Sequence, residues 1–230
     1  MSNVTRREFN QMAAASAVVG TLGAPALVRA QPKALKVGVL LPRSGVQAFV
    51  GQSCQLGADI APALIREMYG VEIELMNADT ETNVEVARAR AEKLINDGAQ
   101  VLVGPFDSGA ASAIAQVAEQ RKVPFIVNIA AAPQITEQGY KYTVRNFPTA
   151  VDLIRNGLGL MRDIFQSTST APRSAVFMHV NDTFGTSMGN GIKAILPKLD
   201  YLPFKVVETI AYDPAARDLS VEVAKAKATN

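Results

Sequence analysis

The residues best suited to holding a small molecule stand together at Gly104-Pro105-Phe106-Asp107-Ser108-Gly109, directly behind the apolar run Val101 to Val103. The run is a short buried strand, and Gly104-Pro105 ends it. Asp107 or Ser108 can then accept a hydrogen bond from the first free N–H groups of a small-residue helix. A helix start of this kind carries unpaired donors and a partial positive charge, so it suits a carboxylate. Gly109 has no Cβ to keep a ligand away. Taken alone, Ser108 serves equally well as the cap of a structural helix.

Catalytic chemistry finds less support. Ser108 lies in a strand-to-helix turn, but Phe106 occupies the place of the first glycine of a G-x-S-x-G elbow, and the single histidine of the chain, His179, lies far along the sequence. No phosphate loop with a following lysine is present, and no G-x-G-x-x-G follows the first apolar strand. One cysteine, Cys54, and one histidine cannot build a Cys/His metal site, and they leave no intrachain disulfide to form. The expectation is a protein without catalytic residues, metal or cofactor. A Ser-dependent hydrolase built on Ser108 is the weakest reading, and Asp79 suits a turn better than a ligand hydroxyl.

Composition agrees with a binder. The chain has 230 residues, is 48% hydrophobic and 19% charged, and has a net charge of +2. Arg6, Arg7 and Arg29 against Glu8 account for that excess, so the rest is balanced and offers no footprint for nucleic acid. Residues 1–30 read as an export signal: Arg6-Arg7 with Phe9, an Ala- and Gly-rich apolar middle interrupted by Gly20, Gly23 and Pro25, and Val28-Arg29-Ala30 before a cleavage site. The arginine pair is similar to a twin-arginine signal, with Asn10 and Gln11 departing from it. Cleavage near Ala30 would place the mature chain in the periplasm.

Behind the signal, short apolar runs alternate with helical periodicity, which predicts an α/β fold of βα units around parallel sheets. Strands are expected at 35–41, 71–76, 101–103, 123–127 and 141–147. A loop over 42–51 leads to a helix from Gln52 to Tyr69, and Thr82 to Glu85 is a capping box for a helix ending near Gly98. Thr149 to Asp152 caps a further helix, and the polar tract 166–172 reads as an exposed loop. Strands at 175–180 and 204–210 flank a helix over 184–199, and a last helix begins at Leu219. The predicted organisation is a first unit over 31–147 and a second over 148–230. That second unit is thin for its helices, so it either borrows structure or is part of a longer chain.

Ligands of open parallel sheets sit at the carboxyl ends of the strands. The loops there include 42–51, 106–109 and 128–133, and the last offers only Asn128 with a polar side chain before Pro133. Backbone groups would therefore make the contacts.

Laid out in this way, the chain resembles the type I periplasmic solute-binding proteins of the branched-chain amino acid group. The resemblance rests on Lys36-Val37-Gly38-Val39, Ser44-Gly45, Gly57-Ala58, Ala91-Glu92-Lys93-Leu94-Ile95, Val103-Gly104, the Ser108 helix start, Gly139-Tyr140, Arg145, Asp182-Thr183-Phe184-Gly185 and Asp218-Leu219-Ser220. It implies two Rossmann-like lobes with parallel sheets, the second incomplete here because the family's later strands lie beyond Asn230. It implies a monomer without cofactor that passes a small carboxylate ligand to an inner-membrane ABC permease, or alternatively a ligand-sensing receptor module of the same fold. Carried over by position, Ser108 and the N–H of Gly109 would hold the carboxylate, Ala130 and Ala131 would present backbone groups, and Phe184 would cover the ligand. Ala131 replaces a threonine common in amino-acid binders, and Val50 beside Phe49 replaces an aromatic. Arg43 would add a cation, favouring an acid without an amine.

Overall fold

The computed structural model describes residues 34–229; the proposed export signal and its cleavage site lie outside them. A five-stranded, wholly parallel sheet has the order β2-β1-β3-β4-β5, formed by β1 (Leu35–Leu41), β2 (Ile73–Asp79), β3 (Val101–Val103), β4 (Phe125–Val127) and β5 (Thr143–Arg145). Alternation along β1 assigns its two faces. Val37, Val39 and Leu41 pack with Cys54 and Ala58 of α1 (Ala48–Tyr69), whereas Leu40 lies in the cluster of Leu94 and Ile114 from α2 (Val84–Asn96) and α3 (Ser108–Arg121). The buried face of α3 is mostly alanine, with Ile114 and Val117, which lets the helix sit close to the strands.

A second, two-stranded parallel sheet pairs β6 (Ser174–Val180) with β7 (Lys205–Tyr212). Ile154 and Leu158 of α4 (Ala150–Thr168) pack there against Ile192 and Ile195 of α5 (Thr183–Ile195), with Phe165 edge-on to Phe204 at 6.0 Å between ring centres. The last helix, α6 (Ser220–Ala228), buries none of its residues.

Several boundaries differ from the expectation, each for a local reason. Helix α1 begins at Ala48, so Gly51 is a helical residue and not the end of a loop. A Cβ at Gly51 would lie 1.8 Å from the Pro42 carbonyl oxygen, so the glycine marks a close approach. The cap of α2 is Asn83, whose Oδ1 accepts from the N–H groups of Glu85 and Val86 at 2.9 and 3.0 Å. Thr82 instead accepts from Gln47 N–H at 3.2 Å and donates to the Ser44 carbonyl at 3.0 Å, tying two loops together. Strand β2 runs on to Asp79, and β5 is confined to Thr143–Arg145. Helix α4 absorbs the start of the polar tract, its Ser167 and Thr168 hydroxyls donating back to the Ile164 carbonyl. Pro197 limits α5 to Ile195 and leaves a 3-10 turn, Leu196–Lys198. The capping box at Thr149 and Asp152 is present in both directions.

Candidate functional site

At the start of α3 the cap is Asp107, whose Oδ1 accepts from Ala110 N–H at 2.9 Å. This frees Ser108 for another role. The residue is buried, 1% exposed, and its Oγ accepts from Ala132 N–H at 3.3 Å. The backbone N–H groups of Ser108 and Gly109 have no acceptor among the described residues. They are the unpaired donors that a helix N-terminus provides.

Ala130, Ala131 and Ala132 follow β4 and are buried at 0%, 2% and 0% exposure. Their carbonyls are all occupied. Arg145, from β5, donates through Nη1 to Ala130 O and through Nη2 to Ala132 O at 2.7 Å, with Nε on Thr136 Oγ1 at 3.2 Å. Ala131 O accepts from Ala150 N–H at 2.7 Å, which ties the loop to the first turn of α4. Burial holds the guanidinium pKa below its ordinary value, opposed by the negative charges of Glu137 and Asp152. Ala130 N–H and Ala131 N–H, like those of Ser108 and Gly109, are left without an acceptor among the described residues. Residues 130–132 therefore combine engaged carbonyls with free N–H groups, a consequence of Arg145 that its position in the sequence does not reveal, and Asn128 Oδ1 at the start of the loop is a buried acceptor without a partner.

From the other side comes α5. Asp182 caps it through Oδ1 and Gly185 N–H at 2.7 Å, and a Cβ on Gly109 would lie 3.4 Å from Thr183 Oγ1. The N-terminal turns of α3 and α5 thus meet at Gly109 and Thr183, and both contribute positive potential to one place. Phe184 is next along α5 and 38% exposed. From Thr183 a groove of about 770 Å³ runs along α5, its lining including Thr186, Ser187, Asn190, Gln134, the capping carboxylate Asp182 and the apolar Val151.

Other sequence-predicted residues stand elsewhere. Phe49 is the second residue of α1 and 83% exposed. Arg43 lines a different groove with Asp79, Arg90 and Lys93. His179 turns Nδ1 to the Val180 carbonyl at 2.8 Å and stacks on Phe177 at 5.7 Å, while Ser108 Oγ has Ala132 N–H as its partner. Asp79 has a turn-building role: its Oδ1 accepts from the N–H groups of Arg43, Ser44 and Glu81 at 2.8, 3.2 and 2.9 Å. Burial alone would raise its pKa, but the hydrogen bonds from Glu81, Ser44 and Arg43 outweigh it and hold the carboxyl below the ordinary value.

Residues 34–230 match the sequence profile described as periplasmic binding protein. A Leu/Ile/Val-binding protein homolog 8 of Brucella abortus (strain 2308) is 26% identical over 161 residues, covering 67% of this chain and 40% of the relative. Among solved structures, a leucine binding protein from Thermotoga maritima superposes with TM-score 0.71 at 24% identity, over 85% of this chain and 54% of the other. A solute binding protein of an ABC transporter from R. palustris, in complex with 4-hydroxybenzoate, superposes with TM-score 0.70 at 23% identity, over 86% and 52%. The chain thus spans about half the length of the proteins it matches. With its profile match running from the first described residue onward, the chain belongs to the periplasmic binding protein family and has the type I fold of the solved structures it superposes on.

Proposed function

We propose that this chain carries the anion-binding half of a periplasmic solute-binding protein, which takes a small organic acid between the starts of α3 and α5 and hands it to an inner-membrane ABC permease. The protein acts as a monomer whose lobes divide near residue 147. The observation that carries the reading is the unbalanced hydrogen bonding of the cleft. Ser108, Gly109, Ala130 and Ala131 offer N–H groups, while the carbonyls of residues 130–132 are engaged by Arg145 and Ala150. A carboxylate satisfies such donors, whereas an ammonium group would have to share carbonyls that Arg145 and Ala150 already engage, or turn to Asn128 Oδ1 at the start of the loop. An aromatic or aliphatic acid without an amine fits better than an amino acid, and Phe184 supplies an apolar cover.

The test is a thermal-shift titration of the full chain with benzoate, 4-hydroxybenzoate, leucine and isoleucine. A ligand that binds the folded state alone at a hundred times its Kd stabilises by about 2.7 kcal/mol, a readily measured rise in Tm. Benzoates should raise Tm more than the amino acids. A response to leucine alone would overturn the amine-free assignment, and a cooperative melt unmoved by every carboxylate would overturn the binding site.

A further inference from the structure

Away from the cleft, a groove of about 500 Å³ runs between edge strand β2 and helix α2, lined by Arg43, Asn77, Asp79, Arg90, Lys93 and Asp97 among others. None of Ser108, Gly109, Ala130 or Ala131 reaches it. Its bonding is incomplete in one sense only. The Nε atoms of Arg43 and of Arg90 are both shielded from solvent, and neither has a hydrogen-bond partner. A shielded guanidinium N–H without an acceptor is costly, and two residues lining this groove each carry one.

The resident acids do not supply it. Asp79 turns its Oδ1 to the backbone N–H groups of Arg43, Ser44 and Glu81 and not to either Nε. Asp97 pairs with Lys93 at 2.6 Å, and Glu81 pairs with Arg90 through Nη2 at 3.1 Å. Arg43 has no carboxylate within ion-pair distance among the described residues. The groove therefore contains one guanidinium, Arg43, with no carboxylate in direct ion-pair contact and a second, Arg90, with a donor to spare, and Lys93 stands at its wall. Guanidinium forks match the oxygens of phosphate, sulfate or carboxylate, and they bind them better than they bind halide.

We propose that this groove is a second anion site, which takes a small oxyanion between Arg43 and Arg90. The site is independent of the cleft and stands whether or not the cleft holds an organic acid. It also accounts for Arg43, the cation that the sequence suggests for the cleft and that the fold places beside Arg90.

The probes are inorganic phosphate and acetate, titrated into the full chain while the arginine Nε–H resonances are followed by NMR, with chloride at matched ionic strength as the reference. Saturable movement of two of these resonances, lost from the spectra of R43Q and R90Q respectively, is the expected result. Saturation by phosphate alone identifies a tetrahedral oxyanion, and saturation by acetate a carboxylate. Each of R43Q, R90Q and K93Q should weaken the binding, the first two by tenfold or more, on the order of one charge-assisted hydrogen bond. Lys93 has a side chain 64% exposed, so K93Q tests the groove without burdening the fold. Movement that stays linear with both probes, or saturates equally in wild type, R43Q and R90Q, would overturn the proposal.

Discussion

Arg145 Nη2 donates to the carbonyl oxygen of Ala132 at 2.7 Å, and the N–H of the same alanine donates to Ser108 Oγ at 3.3 Å. Strand β5 and helix α3 thereby hold the β4 exit loop from opposite ends of one peptide residue. The loop has no functional side chain of its own between Ile129 and Pro133, so its usefulness depends on which backbone groups these two residues leave free.

Replacing Arg145 should therefore harm both stability and binding. Arg145→Lys retains charge but cannot span the carbonyls of Ala130 and Ala132, and two buried acceptors compete for one ammonium. A loss of about 1.5–3 kcal/mol is expected from urea unfolding, with a weaker thermal response to benzoate. Unchanged unfolding would mean that Ala150 alone fixes the loop.

Ser108→Ala removes the acceptor of Ala132 N–H and the hydroxyl nearest the helix start. Benzoate binding, followed by calorimetry, should weaken by about 1–3 kcal/mol. Near-wild-type affinity would remove Ser108 from the site and leave it a structural bridge.

Asp79 provides a pH dependence with a definite sign. Its folded pKa lies below the ordinary 3.8, held there against burial by hydrogen bonds from Glu81, Ser44 and Arg43. A carboxyl depressed by folding contributes stability above its unfolded pKa, and the contribution disappears as the pH falls through the folded value. Asp79→Ala should cost about 1–3 kcal/mol at neutral pH, because three N–H groups lose their acceptor. Acidification below 3.8 should narrow the gap between variant and wild type by the part that depends on the Asp79 charge. A gap of constant size across that range would show that the Asp79 charge contributes nothing to folding.

Two glycines of α1 make a matched pair. Gly57 has open space around its missing Cβ, so Gly57→Ala should stabilise the helix by about 0.5–1 kcal/mol. At Gly51 the same change drives a methyl group into the Pro42 carbonyl, and a loss of at least ~1–3 kcal/mol is expected. Thermal unfolding of the two variants should move Tm in opposite directions.

The alternation of apolar runs with helical periodicity determined the element order and the parallel α/β class, because period and turn chemistry are local properties of the chain. The Thr149–Asp152 capping box was legible for the same reason, since all its partners lie within one turn. Asn83, and not Thr82, caps the helix, while Ser44 and Gln47, distant in sequence, claim the Thr82 hydroxyl. Gly51 looked like a loop residue because the backbone it touches belongs to another segment. The sequence likewise singled out Ser108, Gly109 and the alanine loop, but it could not say that the Ala130–Ala132 carbonyls are occupied and their neighbouring N–H groups free. That depends on the reach of Arg145 across β5 and on the proximity of Ala150. The place of Arg43 was also a tertiary decision: its charge is plain in the sequence, but its groove exists only where α2 packs beside β2. Hydrogen-bond accounting is complete only when every partner is in place, so the donor surface of the cleft and the anion groove are properties of the folded chain.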